Sequence, residues 1–119
     1  MLILLAHGSP NPQWRASVEQ LTRSVQDGAP GVPVRLAYME SAPPSLIDVV
    51  ADGVGAGAAE VRVLPLFLAD EGHVERDIRP LVDEIRLAHP GLAIELLPSL
   101  GRYRDFQEFI CSIAKGLAR

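Results

Sequence analysis

Apolar residues along this chain follow two rhythms that alternate from end to end. Apolar runs at Leu2-Ile-Leu-Leu-Ala6 and, interrupted only by Arg62, at Val61-Arg-Val-Leu-Pro-Leu-Phe67 have the length and flanking turns of buried strands. Val32 to Tyr38 and Leu92 to Leu97 supply two further strands. Between these runs the spacing becomes helical. Trp14, Val18, Leu21 and Val25 fall at i, i+4, i+7 and i+11 of a helix running to about Asp27, with Asn11 as N-cap and Pro12 at its first position. Gly28-Ala-Pro-Gly31 stops it. Ser41-Ala-Pro-Pro44 introduces a second helix carrying Leu46, Val49, Val50 and Val54. A third spans Val74 to His89 with Ile78, Leu81, Val82 and Ile85 inward, and Pro80 predicts a break or kink near Arg79. Tyr103 to Leu117 closes the chain as a helix whose segment Phe109-Ile-Cys-Ser-Ile113 reads as a buried face.

The order is βαβαβαβα with short connections. Such alternation requires a parallel sheet with helices on both faces and right-handed crossovers. Strands one and three are the most apolar and belong at the centre, with two and four at the edges. The predicted fold is therefore α/β, a four-stranded parallel sheet of order 2-1-3-4, as a single domain over residues 1–119. Its switch point lies between strands one and three, and ligands of open α/β sheets bind outside the carboxyl ends of the strands at such a point. His7 leaves strand one there, and His73 follows strand three.

Composition narrows the function classes. A net charge of −4 disfavours nucleic acid as a partner. No stretch approaches the roughly 18 apolar residues of a membrane span, and the first apolar run is too short and lacks the basic flank of a signal peptide. Cys111 is the only cysteine and has no internal disulfide partner, so a cytoplasmic location is expected, and no chemical role falls to it. Ten of the 11 basic residues are arginine, which grips carboxylates bidentately. Arg15, Arg76, Arg79, Arg102 and Arg104 are thus candidates for holding an acidic substrate, although a solvated surface charge is the commoner fate of each.

Gly53-Val-Gly-Ala-Gly57 closes a helix instead of opening one after a strand, so it is a helix stop and not a dinucleotide loop. Neither a phosphate loop nor a nucleophile elbow occurs, and no nucleotide is expected. His89 belongs to a helix C-terminus, where it caps or faces solvent. His7, in Ala6-His-Gly-Ser-Pro10, is followed by small residues that permit close approach of a ligand. His73 enters helix three at its positive end, a field that keeps the ring neutral and able to bind metal or accept a proton. Glu40 ends strand two on the same edge of the sheet and could complete a metal site or relay protons. Asp70 and Glu71 are nearby loop acids of lower rank. Ser9 caps backbone or touches ligand.

Ala6-His-Gly-Ser9, Ala37-Tyr-Met-Glu40 with Pro44-Ser-Leu46, and Leu64-Pro-Leu-Phe-Leu68 with Gly72-His-Val74 and Asp77-Ile78 resemble the small CbiX/SirB proteins over the whole chain. These are sirohydrochlorin chelatases, which insert cobalt or iron without ATP. The resemblance implies that His7 and His73 bind the metal and accept protons, with Glu40 assisting. It also implies that Gly8, Ser9, Phe67, Gly72 and Arg76 meet a tetrapyrrole. The metal would be substrate: Co²⁺, Fe²⁺ or Ni²⁺, a borderline ion that imidazoles hold without trapping. Two segments depart from the family pattern. Ala69-Asp-Glu-Gly72 adds two negative charges, and Leu100-Gly-Arg-Tyr103 replaces a common Leu-Gly-His-Pro. One such sheet offers an open shelf to a broad flat macrocycle, so a homodimer with the site near its interface is expected. The rival readings are a non-catalytic metal-delivery protein and a small-anion-binding module on the same scaffold.

Overall fold

The computed structural model describes residues 1–69, 72 and 74–118. Along the chain run β1 (Leu2–Ala6), α1 (Pro12–Gly28), β2 (Val34–Tyr38), α2 (Leu46–Gly55) and β3 (Glu60–Pro65). A π-helical turn (Val74–Ile78) then leads into α3 (Arg79–Ala88), followed by β4 (Ala93–Leu96), a 3₁₀ turn (Leu100–Arg102) and α4 (Arg104–Gly116). The strands are parallel and lie in the order β2-β1-β3-β4, as the apolar pattern predicts. β1 pairs on one side with β2, from Leu2↔Val34 to Ala6↔Tyr38, and on the other with β3, from Leu2↔Arg62 to Leu5↔Pro65.

Alternation along the strands divides the sheet into two unlike faces. Ile3, Leu5, Ala37, Val61, Val63 and Ile94 point to the face covered by α2 and α3, where they pack with Leu46, Val49, Val50, Ile78, Val82 and Ile85. At about 25 cal/mol per Å² of apolar surface this layer is the main source of stability. The other face carries α1 over β1 and β2, burying Leu4, Val34 and Tyr38. Gln26 fastens the end of α1 to this edge. Its side-chain amide donates to the Val32 carbonyl at 2.8 Å, and its oxygen accepts from the Val34 N–H at 2.7 Å.

Local boundaries follow backbone chemistry. β2 starts at Val34 and not at Val32, just past Pro33, which has no N–H to give a ladder. The break expected near Arg79 takes a specific form. The helix is π-wound through Ile78 and becomes α-helical from Arg79, with Pro80 in its first turn. Proline there would remove an i→i−4 bond and crowd the carbonyl four residues back, and the wider turn accommodates both effects.

One expectation is overturned. Cys111 is exposed, and none of α4 is buried. Phe109, Ile110 and Ile113 are 62%, 52% and 53% exposed. Helical periodicity identifies a face that favours cover but does not say that the same chain supplies it. α1 shows the effect more mildly, with Trp14 and Leu21 of its stripe 38% and 46% exposed.

Two predictions come from this packing. A Cβ on Gly101 would overlap the Leu68 carbonyl, and the Gly101 N–H already donates to the Phe67 carbonyl at 3.0 Å. Gly101→Ala should cost about 1–3 kcal/mol, seen as a lower urea midpoint at constant m-value; an unchanged midpoint would refute the contact. Tyr38 is 3% exposed and its hydroxyl has no hydrogen-bond partner among the described residues. Burial, aided by Glu19 and opposed by Arg15, raises its pKa above the ordinary 10.0. The unfolded chain ionises first, so this contribution is whole below pH 10 and is lost as pH rises through the folded value. Tyr38→Phe should leave stability at neutral pH equal or higher and lessen the alkaline loss in urea titrations at several pH values.

Candidate functional site

β1 and β3, the two central strands, end side by side, and the segments leaving them build the site. The ladder outlasts the regular strands. Met39 N–H donates to the Ala6 carbonyl at 2.8 Å, Glu40 N–H to the His7 carbonyl at 3.0 Å and Leu66 N–H to the Leu5 carbonyl at 2.9 Å. His7, Glu40 and Phe67 are therefore carried by backbone still tied to the sheet. The exposed His7 ring stacks on buried Phe67, with centroids 4.2 Å apart and planes 24° apart.

Gly8 makes this closeness sterically feasible. Its φ is +102°, and a Cβ there would collide with the Glu40 carbonyl. Glu40 belongs to a loop whose ends are pinned by the Tyr38 N–H donating to the Pro44 carbonyl at 2.9 Å. The adjacent Ser41 has φ 66°, a left-handed conformation that costs a serine free energy. That strain lies one residue from the candidate acid.

His7, Met39, Glu40, Phe67, Asp77 and Ile78 together line a cavity of about 240 Å³ at this edge. Asp77 is a member that the candidate list from sequence lacks. It comes from the π-helical turn, a feature frequent at functional sites. Its signal was its place in Asp77-Ile78, one of the segments that carry the family resemblance. Arg76 sits beside it, its guanidinium 3.7 Å from the Asp77 carboxylate, and both are exposed. Among the described residues no three His, Cys, Asp or Glu side chains are placed to hold a metal ion together. His73, Asp70 and Glu71, and with them the expected His7–His73 pair, lie outside the described residues.

The other expectations divide. Ser9 acts on the backbone: its hydroxyl accepts from the Asn11 N–H at 3.1 Å, and its carbonyl accepts from the Arg15 guanidinium at 3.0 Å. Arg79 is engaged with Glu75 at 2.8 Å, which holds its pKa raised, and Arg104 lies 3.8 Å from Glu108. Gly72 lines a neighbouring cavity of about 340 Å³ with Arg79, Ser99 and Arg102, and not the one that contains His7. Gly53 and Gly55 fall in the last turn of α2 and Gly57 just past its cap at Ala56, so this run ends the helix, as expected. A larger cavity of about 590 Å³ beside them, lined by Met1, Arg35 and Asp52, lies at the opposite, amino-terminal edge of the sheet. No helix among the described residues is long and apolar enough to cross a membrane.

The site's chemistry is a ligand edge with one imidazole, two carboxylates and an apolar floor, and comparison with known proteins points the same way. The CbiX family model matches residues 1–115. Sirohydrochlorin cobaltochelatase of Methanosarcina acetivorans is 30% identical over 77 residues, 65% of this chain and 59% of that protein. The chain thus spans about three fifths of the length of that curated relative. SirB from Bacillus subtilis, solved with Fe³⁺, shares the fold with a TM-score of 0.82 at 18% identity, over 99% of this chain and 47% of that one. A CbiX protein from Marinobacter aquaeolei VT8 aligns over 97% of this chain and 93% of its own, with a TM-score of 0.84 and 31% identity. With the family model matched almost end to end and a relative of near-equal length sharing the fold, this chain belongs to the CbiX family.

Proposed function

We propose that the protein is an ATP-independent metal-ion chelatase that places a divalent ion into sirohydrochlorin or a related tetrapyrrole. The observation that carries this reading is the His7 ring, stacked on Phe67 and sharing one cavity with Glu40 and Asp77 at the switch point. Metallation requires two pyrrole N–H protons to leave as M²⁺ passes from protein to macrocycle. His7 and His73 hold Co²⁺, Fe²⁺ or Ni²⁺ through neutral imidazole nitrogen, a ligand set loose enough to release the ion. Glu40 and Asp77 accept the departing protons and pass them to solvent. Phe67 fixes the plane of His7, Gly8 and Gly72 let the macrocycle approach, and Arg76 meets its peripheral carboxylates.

A cavity of about 240 Å³ takes the metal and the central face of such a ligand, not its whole span. A homodimer with the site near its interface would enclose the remainder, and the SirB chain, of which this fold matches 47%, has room for a second unit of this size. The absence of a long apolar helix among the described residues and a lone cysteine support action in the cytoplasm.

Anaerobic metallation of sirohydrochlorin with Co²⁺, followed by absorbance, tests the reading. Wild type should exceed a protein-free blank, and His7→Ala and His73→Ala should each lose about 100-fold. Asp77→Asn should lose less, roughly 10-fold. Wild-type rates equal to the blank with Co²⁺, Fe²⁺ and Ni²⁺ would sink the enzyme reading. Metal binding is checked separately by thermal unfolding. An ion at 100 times its Kd should stabilise wild type by about 2.7 kcal/mol and His7→Ala by much less. Stabilisation without catalysis would identify a metal-delivery protein, and neither effect would identify the anion-binding module.

A further inference from the structure

A second cavity opens at the same edge of the sheet, on the side of β4. Its volume is about 340 Å³, and Glu75, Arg79, Leu97, Ser99 and Arg102 are among the residues around it. One wall is the π-helical turn with the start of α3, and the other is the segment that leaves β4. The sheet holds that segment in place. Leu97 N–H donates to the Val63 carbonyl at 2.9 Å, and Gly101 N–H to the carbonyl of Phe67, the floor of the first cavity. Arg102 N–H then donates back to the Ser99 carbonyl at 2.9 Å, so the 3₁₀ turn returns the arginine to Ser99.

The polar groups around this cavity are arranged for a carboxylate. Ser99 is 2% exposed, and its hydroxyl has no hydrogen-bond partner among the described residues. A buried hydroxyl without a partner costs free energy, and a carboxylate oxygen would supply one. Arg79 uses only its Nε, which donates to Glu75 at 2.8 Å. That bond aligns the planar guanidinium and leaves its Nη1–Nη2 edge to a second carboxylate. Arg102 brings another guanidinium from the other wall.

β1, β3 and β4 are successive neighbours, so the end of β4 lies about 10 Å from the end of β1. That span is comparable to the reach from the centre of a tetrapyrrole to a propionate carboxylate on its rim. We propose that this second cavity is a subsite for one peripheral carboxylate of the tetrapyrrole, held by Arg79, Ser99 and Arg102 while the ring centre sits over His7. The subsite rests on the chelatase reading above and deepens it by assigning the direction in which the substrate extends. Arg102 stands in Leu100-Gly-Arg-Tyr103, where the family commonly has Leu-Gly-His-Pro, so part of this grip is particular to this chain. It also sets specificity. A macrocycle lacking a carboxylate at that position leaves the Ser99 hydroxyl and the Arg79 edge unmatched.

The first test is equilibrium binding of metal-free sirohydrochlorin to the full chain, read by the ligand's own fluorescence. Arg79→Gln and Ser99→Ala should each raise Kd about 10-fold, and Arg79→Lys should recover part of the loss. Added salt should weaken wild type more than Arg79→Gln, which has one charge contact fewer. Arg23→Gln, at an exposed position of α1, removes the same charge and should bind as wild type. In anaerobic Co²⁺ metallation Arg79→Gln should raise KM about 10-fold and leave kcat nearly unchanged. A wild type that does not bind sirohydrochlorin would overturn the chelatase reading and the subsite together. Wild-type affinity in both Arg79→Gln and Ser99→Ala, the result expected of a site for a free organic acid, would overturn the subsite alone. So would an Arg79→Gln loss that is unaffected by salt and tracks a lowered thermal midpoint, which would make Arg79 a structural residue.

Discussion

The direct pairing of β1 with β3 is the constraint on which the rest depends. These strands are separated in sequence by two helices and a strand, yet Leu2 to Leu5 lie beside Arg62 to Pro65. Because the chain winds outward from this pair in both directions, the loops leaving it cannot be bridged by a crossover and remain open at the carboxyl edge. Without the β1–β3 ladder His7 and Phe67 would have no reason to meet. With it, the last ladder bonds set their backbones only a strand spacing apart, and the rings stack.

The apolar core reinforces that constraint from one side only. Ile3 and Leu5 of β1 and Val61 and Val63 of β3 are almost wholly buried under α2 and α3. A slip of one residue would turn these side chains to the other face, so burial fixes the register, and register fixes which atoms reach the edge. The π-helical turn belongs to the same logic. It carries Ile78 into the core at 0% exposure while leaving Asp77 at the cavity, one residue serving packing and its neighbour the site.

Strand order, helix order and the switch point were legible in the sequence because each is encoded by local rhythm and by the contrast between very apolar and less apolar runs. The gathering of His7, Glu40 and Phe67 at one edge was legible because they fall at strand ends, where topology alone determines the neighbourhood. Asp77 was not singled out: it lies inside a helical pattern, and only the change of winding before Pro80 turns that position toward the cavity edge. That Gly72 and Arg79 line a cavity other than the one containing His7 was not legible for a related reason. Loop and helix residues a few positions apart in sequence can line different cavities, and linear proximity does not separate them. The engagement of Arg15 with the Ser9 carbonyl was equally hidden, since no pattern marks a backbone acceptor.

Cys111 marks a different limit. The segment Phe109-Ile-Cys-Ser-Ile113 has the pattern of a buried face, and the physical inference from that pattern, that water is unfavourable there, stands. What the pattern omits is whose surface replaces the water. A sheet this small covers one face with α2 and α3 and half of the other with α1, and its last helix is left outside. A chain with so little of its own surface to bury gains stability by assembly more readily than by growth. A second surface opposite the ligand edge would also turn the shelf formed by one sheet into a cleft. The exposed helix and the open edge are, on this view, two consequences of one cause, a half-sized sheet that has begun to build its second layer and has not finished it alone.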